Sequence, residues 1–398
     1  MAQNKRILLH LAHPGGKELD YIRQAFEDDW IAPLGPNVDG FEEDLKEFLG
    51  GEKEILAVSS GTAAVHLGLI GCGVQAGDEV LVQSFTFCAS VNPVLYLGAK
   101  PILVESEKDT WNMDPDLLEE ALIDRIKRTG RTPKAIVPVS LYGMPYQADK
   151  IMKMADRYGI PVVEDCAEGL GSRFEGQALG TFGRFGVLSF NGNKMITTSG
   201  GGALICPDPE TKARMLYFAT QARGPFHYYQ HEDLGYNYRL SNVCAGIGRG
   251  QMLVAGEHIS HHQRVAKLYA YLLKDIPGIT VHGNPSPRID SNFWLSTIVL
   301  DPQLRVQGQE SIGEPPGPSA PNANVLALIR QLDKAGIETR PFWKPMHLQP
   351  LYHDAPFYGN SDCVSENLFK TGLCLPSGPR VSEEDVKAVC NMIGDLCR

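Results

Sequence analysis

One lysine stands where few surface lysines are found. The run Leu188-Ser189-Phe190-Asn191-Gly192-Asn193-Lys194-Met195-Ile196-Thr197-Thr198-Ser199-Gly200-Gly201-Gly202 leads from one apolar stretch through a polar loop towards another, and Lys194 is its one charged residue. A lysine placed there, once its amine is neutral, is a candidate Schiff-base nucleophile. Upstream, Ser59-Ser60-Gly61-Thr62-Ala63-Ala64 consists of small residues between an apolar run and a helical pattern. Such a turn leaves backbone N–H groups and the positive end of a helix dipole facing an anion, as a phosphate cup would. Tight strand-to-helix packing favours the same residues. Between these segments, Val162-Val163 ends in Glu164-Asp165. Successive side chains on a strand point to opposite faces, so only one of the two acids can face a site; a helix N-cap is the alternative use of the aspartate. An anion cup, a strand-end carboxylate and a loop lysine together suit pyridoxal phosphate: phosphate site, pyridinium partner and aldehyde anchor.

The elements needed to position these groups are visible as alternation. Short apolar runs at 55–59, 79–83, 101–104, 135–139, 161–164, 186–190 and 202–206 read as strands. Helical segments fall between them at 38–49, 61–69, 115–127 and 148–158. Strands apolar on both faces and separated by helices predict a mainly parallel sheet covered on both sides, an α/β fold. A carboxylate at the carboxyl end of such a strand lies where open α/β sheets bind ligands. Beyond about residue 250 the pattern changes to a long polar helix (258–275), strands at 293–300 and 336–341, and a last helix from Ser382. We expect a large domain over 15–250 and a small α+β domain over 251–398, with residues 1–14 packing on the latter. Residues 307–322, containing Glu314-Pro315-Pro316-Gly317-Pro318-Ser319, are expected to form an exposed loop.

Composition narrows the function classes. Of 398 residues, 37 are Lys or Arg and 47 Asp or Glu, giving a net charge of −10 that disfavours nucleic acid as partner. Nine cysteines without C-x-x-C or zinc-like spacing read as reduced thiols, and no metal is expected. The uncharged stretch from Val80 to Ala99 is broken by Gln83, Ser84, Thr86, Ser90, Asn92 and Pro93, so it reads as buried strand, turn and helix rather than a membrane span. With no signal-like leader, the expected compartment is the cytoplasm. Three other patterns read as structural. Gly71-Cys72-Gly73-Val74-Gln75-Ala76 follows a helix, where a dinucleotide fingerprint follows a strand. His258 and His262 lie one helical turn apart with no third ligand, which suggests a solvated or interface face. Arg125, Lys127, Arg128 and Arg131 mark a helix end facing solvent.

Taken in order, Trp30-Ile31-Ala32-Pro33-Leu34-Gly35-Pro36, Ser60-Gly61-Thr62-Ala63-Ala64, Glu164-Asp165, Ala178-Leu179-Gly180-Thr181-Phe182-Gly183, Ser189 to Gly202, Gly235-Tyr236-Asn237-Tyr238-Arg239-Leu240-Ser241-Asn242 and Thr339-Arg340-Pro341-Phe342-Trp343-Lys344-Pro345-Met346-His347 strongly resemble the DegT-type nucleotide-sugar aminotransferases. These are pyridoxal-phosphate enzymes with the aspartate-aminotransferase-like fold type I, and the likeness spans nearly the whole chain. It implies Lys194 as the catalytic lysine that holds the cofactor and then shuttles the proton. It implies Asp165 at the pyridine nitrogen, Gly61, Thr62, Ala63 and Ser189 at the phosphate, and Phe87 stacked on the ring. Asn237 would reach the cofactor phosphate of the neighbouring subunit, which requires a homodimer. Arg340, Lys344 and His347 would approach the nucleotide-sugar.

Two positions depart from the common pattern. Glu168 stands where many members carry His or Gln, and Ser199-Gly200-Gly201-Gly202 replaces a Gly-Glu-Gly-Gly run. Together with Phe190-Asn191-Gly192-Asn193-Lys194 they resemble the branch acting on UDP-linked 4-keto-6-deoxy-N-acetylhexosamine in bacillosamine-type sugar synthesis. Glu168, near the cofactor's phenolic oxygen, would either be protonated or bond another group. The implied reaction is transamination from L-glutamate to C4 of that ketosugar, giving a UDP-4-amino-4,6-dideoxy-N-acetylhexosamine. Alternatives are a dTDP- or GDP-linked ketosugar, or a non-catalytic nucleotide-sugar-binding protein. The dehydratase branch, in which histidine replaces the lysine, is disfavoured by Lys194.

Overall fold

The computed structural model describes residues 6–313 and 319–397. A long sheet runs in the order Glu54–Val58, Gly202–Cys206, Phe185–Ser189, Val163–Asp165. Parallel bridges at Ile136–Val162 and Val139–Asp165 continue it to Ala135–Val137, Glu79–Gln83, Lys100–Val104 and the short strand Phe357–Tyr358. Gly202–Cys206 runs antiparallel to both neighbours, and the other pairings are parallel. The mainly parallel α/β sheet expected of fold type I is thus present. The lysine loop, residues 190–201, connects the antiparallel neighbours Phe185–Ser189 and Gly202–Cys206.

The helix Gly61–Gly71 lies buried against this sheet, and its glycines explain how closely. A Cβ on Gly71 would come 2.4 Å from Phe185 Cζ, and one on Gly68 would meet Val163 Cγ1 at 3.0 Å. The other helices present one apolar face. Pro115–Thr129 starts at Asp114, whose carboxylate accepts from the Asp116 and Leu117 N–H groups, and stops at left-handed Gly130 (φ 67°).

Beyond residue 250 a second, antiparallel sheet forms from Ile279–Val281, Ser296–Leu300, Gly372–Leu375 and Arg340–Pro341. The helices Ala255–Leu273, Ala323–Lys334 and Glu383–Leu396 close over it around Tyr269, Leu328, Leu373, Val386 and Ile393. Ser382 caps the last helix in a capping box with Asp385. Not all of this part stays with the second sheet: Phe357–Tyr358 joins the large one, and Ile289–Asp290 pairs with Arg173–Phe174. The N-terminal segment bridges both bodies. Ile7 pairs with Ile337, the Ser377 N–H donates to Leu9 O at 2.8 Å, and the Ala12 N–H donates to Gly192 O at 3.3 Å.

The Pro-rich stretch 314–318 of the expected loop lies outside the described residues; Gln309–Ser311, within that loop, forms one 3-10 turn. Two expectations need correction. Of the two readings of the His258/His262 face the solvated one falls: both rings are buried, and His262 stacks on His10 with ring centroids 5.0 Å apart. Arg125 does not simply meet solvent but forms a mostly buried two-point pair with Glu79, at 2.5 and 3.0 Å. All nine cysteines are free, five of them buried. Among the described residues no helix is long and apolar enough to cross a membrane.

Candidate active site

The carboxyl ends of the central strands open into a cavity of about 400 Å³. Gly61, Thr62, Phe87, Asp165, Glu168, Ser189 and Lys194 all line it, although the chain separates them by up to 133 positions. Each is delivered by the element that the sequence marks.

At the floor, Ser60 is the N-cap of Gly61–Gly71, and its hydroxyl accepts the Ala63 N–H at 3.1 Å. Ala63 is buried beneath the cavity with its donor already used, so Gly61 and Thr62 carry the N–H groups left for an anion. Glycine is required on both sides of this turn. A Cβ on Gly202 would lie 2.4 Å from Ser60 C and 2.5 Å from Gly61 N, and one on Gly61 would lie 2.9 Å from Ser189 Cβ. Backbone therefore meets backbone around the cup, and Ser189 is held against it.

Glu164 and Asp165 divide as the pleat requires. Glu164 points away from the cavity, and its carboxylate accepts the Gly183 N–H at 2.6 Å and the Gly180 N–H at 3.0 Å, fixing the turn after Ala178. Asp165 faces the cavity. Its Oδ2 accepts from Ser90 Oγ at 2.6 Å and its Oδ1 from the Ala167 N–H at 3.1 Å. Burial pushes the Asp165 carboxyl above its ordinary range, while those two donors and the charge of Lys194 pull it back. Ser90 is in turn 2.7 Å from Thr86 Oγ1.

Lys194 Nζ lies 3.3 Å from Glu168 Oε1 and 4.3 Å from the centre of the Trp294 ring. Glu168 Oε2 accepts the N–H of Tyr142 at 2.7 Å, a residue in the left-handed region (φ 54°). Both carboxylate oxygens of Glu168 are thus engaged by Lys194 and Tyr142. Burial raises its carboxyl, and Lys194 lowers it. Trp294 donates its indole N–H to Asn193 O at 2.8 Å, bracing the lysine loop from the far side. Phe87 is half exposed and tilted against Trp343, 5.2 Å away. Ser90, Thr86, Tyr142 and Trp294 escaped the sequence reading, since ordinary residue types scattered along the chain carry no motif; Trp343 stood inside the Thr339-to-His347 run with no role assigned to it.

The remaining expected residues lie elsewhere. Arg340 and Lys344 line a second cavity of about 760 Å³ that shares Asn193, Trp294 and Trp343 with the first. Arg340 pairs with Glu338 at 3.0 Å. His347 reaches neither cavity: its Nδ1 is 2.7 Å from Ser84 Oγ, its Nε2 is 3.4 Å from Glu366 Oε1, and its ring stacks on Phe357. Asn237 lies on an exposed segment outside the cavity, bridged to Thr220.

The donor set fits pyridoxal phosphate: free N–H groups and a hydroxyl at an anion cup, a buried carboxylate for a protonated ring nitrogen, and a lysine amine, all in one cavity. The profile of the DegT/DnrJ/EryC1/StrS aminotransferase family matches residues 14–314 and 317–394. The chain belongs to the DegT/DnrJ/EryC1/StrS aminotransferase family. EpsN of Bacillus subtilis (strain 168), assigned as a pyridoxal phosphate-dependent aminotransferase, is 43% identical over 392 residues, covering 98% of this chain and 95% of its own. GDP-perosamine synthase of Escherichia coli O157:H7 is 34% identical, covering 96% of each chain. The crystal structure of a DegT DnrJ EryC1 StrS aminotransferase from Brucella abortus superposes with a TM-score of 0.84 at 28% identity, covering 95% of this chain and 94% of that one. The family member described here is a pyridoxal-phosphate-dependent aminotransferase acting on nucleotide-sugars.

Proposed function

We propose that the enzyme moves an amino group from L-glutamate to C4 of a UDP-linked 4-keto-6-deoxy-N-acetylhexosamine, yielding the UDP-4-amino-4,6-dideoxy sugar for bacterial glycan synthesis. The observation that carries an amino transfer is the convergence of the Gly61–Gly71 N-terminus, Asp165 and Lys194 in one cavity. When bound, pyridoxal phosphate supplies an aldehyde that exchanges amines and a ring that takes up carbanion charge. The chain's own groups do the rest. Gly61 and Thr62 N–H groups and the Ser189 hydroxyl hold the phosphate, and Asp165 keeps a proton on the ring nitrogen. Lys194 Nζ would accept and return the substrate proton, and Glu168 Oε1, 3.3 Å away, would hold that amine while it is free of the cofactor. Phe87 and Trp343 wall the cavity with aromatic surface that excludes water.

The UDP-sugar assignment rests on Glu168 and the Phe190-to-Lys194 loop, which resemble the UDP branch. Identity of 34% to a GDP-perosamine synthase favours a GDP-linked ketosugar as second reading. Arg340 and Lys344 are read as cations for the diphosphate in the adjoining cavity. Asn237 is read as serving the site of a second copy in a homodimer, in keeping with its exposure beside exposed Tyr228, Tyr229 and Leu234. Nine free thiols suit a reducing cytoplasm.

The test has two stages. Excess L-glutamate without sugar should deplete the absorbance band of the lysine-bound cofactor and release 2-oxoglutarate, and Lys194→Ala should do neither. Unaltered turnover in that variant removes the mechanism. UDP-, GDP- and dTDP-linked 4-keto-6-deoxy sugars then compete for the aminated enzyme; faster reaction with the GDP or dTDP compound overturns the UDP assignment while leaving the transamination.

A further inference from the structure

His347, expected at the substrate, is instead built into a different cluster. Its ring is clamped: stacked 3.8 Å from the ring of Phe357 and bonded through Nδ1 to Ser84 Oγ at 2.7 Å. Its outward nitrogen, Nε2, faces Glu366 and Cys363, and the three donor atoms lie within 4.8 Å of one another. Cys363 and Glu366 come from one turn, the first the N-cap of Val364–Thr371 and the second in its opening residues. When Nδ1–H donates to Ser84, Nε2 presents a lone pair to Glu366 Oε1 at 3.4 Å. With the opposite tautomer Ser84 Oγ donates to Nδ1 and Nε2–H to Glu366; the first tautomer is the one that turns a ligand atom towards Glu366 and Cys363.

We propose that His347, Cys363 and Glu366 form a three-ligand site for a divalent cation of the zinc class, with water as fourth ligand. The set of imidazole, thiol and carboxylate selects a borderline-soft ion over magnesium or calcium. With Zn–N and Zn–O bonds of about 2.0–2.2 Å, the N···O edge of a tetrahedron is about 3.4 Å. That equals the distance between His347 Nε2 and Glu366 Oε1. The corresponding edge to sulfur is about 3.6 Å, so the Cys363 thiol, which donates to Asn360 O at 3.2 Å, has to leave that acceptor and turn inward. Ser84 supplies the hydrogen bond that orients a ligating histidine through its other nitrogen. Glu105 lies behind the thiol and is held by Ser365 Oγ at 2.9 Å. Burial and the carboxylates of Glu105 and Glu366 push the thiol up to about 12. Metal entry must therefore displace the thiol proton into solvent, and the carboxylates that oppose a bare thiolate favour the cation replacing it. The bound ion would tie the stretch carrying Trp343 and Lys344 to the helix Val364–Thr371, stiffening one wall of the second cavity.

The test uses tag-free holoenzyme titrated with Zn2+, and with Co2+ as a spectroscopic substitute. We expect one ion per chain, and for Co2+ the intense visible bands of a four-coordinate thiolate complex, at wavelengths beyond the cofactor's absorption. Cys363→Ser and Glu366→Gln should each weaken binding at least tenfold, on the scale of lost ligand-shell partners. Both should keep the holoenzyme spectrum and thermal midpoint, and Cys363→Ser should keep the glutamate half-reaction. Substoichiometric uptake, pale six-coordinate Co2+ spectra, or equal affinity in the parent and both variants would overturn the site.

Discussion

Replacing Ser90 by alanine isolates how the fold keeps Asp165 ionised. Ser90 Oγ donates to Asp165 Oδ2 at 2.6 Å, a charge-assisted bond inside a fully buried site. Such bonds contribute about 1.5–3 kcal/mol. Since one pKa unit corresponds to about 1.36 kcal/mol, losing this bond should raise the Asp165 carboxyl by about one to two units. The direction follows from the causes: burial already raises it, and Ser90 is the strongest counterweight. Amino transfer needs the ionised carboxylate, so activity in Ser90→Ala should be lost earlier as the pH falls. The assay is kcat/KM for the glutamate half-reaction against pH. The acid limb should move to higher pH by about one to two units while the alkaline plateau stays near the parent value. Thr86→Val removes only the next link, Thr86 Oγ1 to Ser90 Oγ at 2.7 Å, and should shift the limb less. Superimposable acid limbs, or an equal drop at every pH, would refute the reasoning.

Gly202→Ala places a methyl 2.4 Å from Ser60 C, against backbone that cannot rotate aside. Overpacking of that kind costs about 1–3 kcal/mol, so equilibrium dialysis should show cofactor affinity lowered roughly tenfold or more. Gly192→Ala, which meets no atom within 4 Å, should not change it, and equal affinities in all three proteins would remove the argument. The buried pair His10 and His262 should make the protein acid-sensitive. Burial lowers His10 to about 3 and His262 well below 6.5, so the unfolded chain binds protons that the folded one refuses. Stability should therefore fall as pH drops below about 6.5, by up to about 2.7 kcal/mol per unit for the two together. Glu164, Asp165 and Glu168, raised by burial, act in the opposite sense, so the comparison that matters is with His262→Asn. His66, His258, His261, His282 and His347, also lowered by burial, act in the same sense as the pair, so urea unfolding between about pH 7 and pH 5 should show a slope shallower by up to about 1.4 kcal/mol per pH unit in the variant, and an unchanged slope would contradict it.

The alternation of buried strands and helices was legible because parallel strands covered on both faces leave continuous apolar runs, as at Glu79–Gln83 and Lys100–Val104. Lys194, Asp165 and the Ser60-to-Thr62 turn were legible because their chemistry is out of place for their local setting. What stayed hidden depends on distant pairing. His262 looked like a helix-surface residue until His10, 252 positions away, covered it. His347 meets Cys363 and Glu366 through a spacing that no short metal motif has. Ser90 reads as one more small residue until the sheet places it beside Asp165.

The segment that bridges the two sheets has a consequence for the order of assembly. Leu9 is bonded to Ser377 and Ile7 to Gly336, so these residues are synthesised more than 320 positions ahead of their partners. At roughly 5–20 residues per second, that is a wait of about 20 to 75 s on the ribosome. Throughout that interval Ile7, Leu8, Leu9 and Leu11 form an apolar stretch without its partner strand. A chaperone that captures short apolar peptides would find a binding site there, to be released when the strand Gly372–Leu375 completes the second sheet.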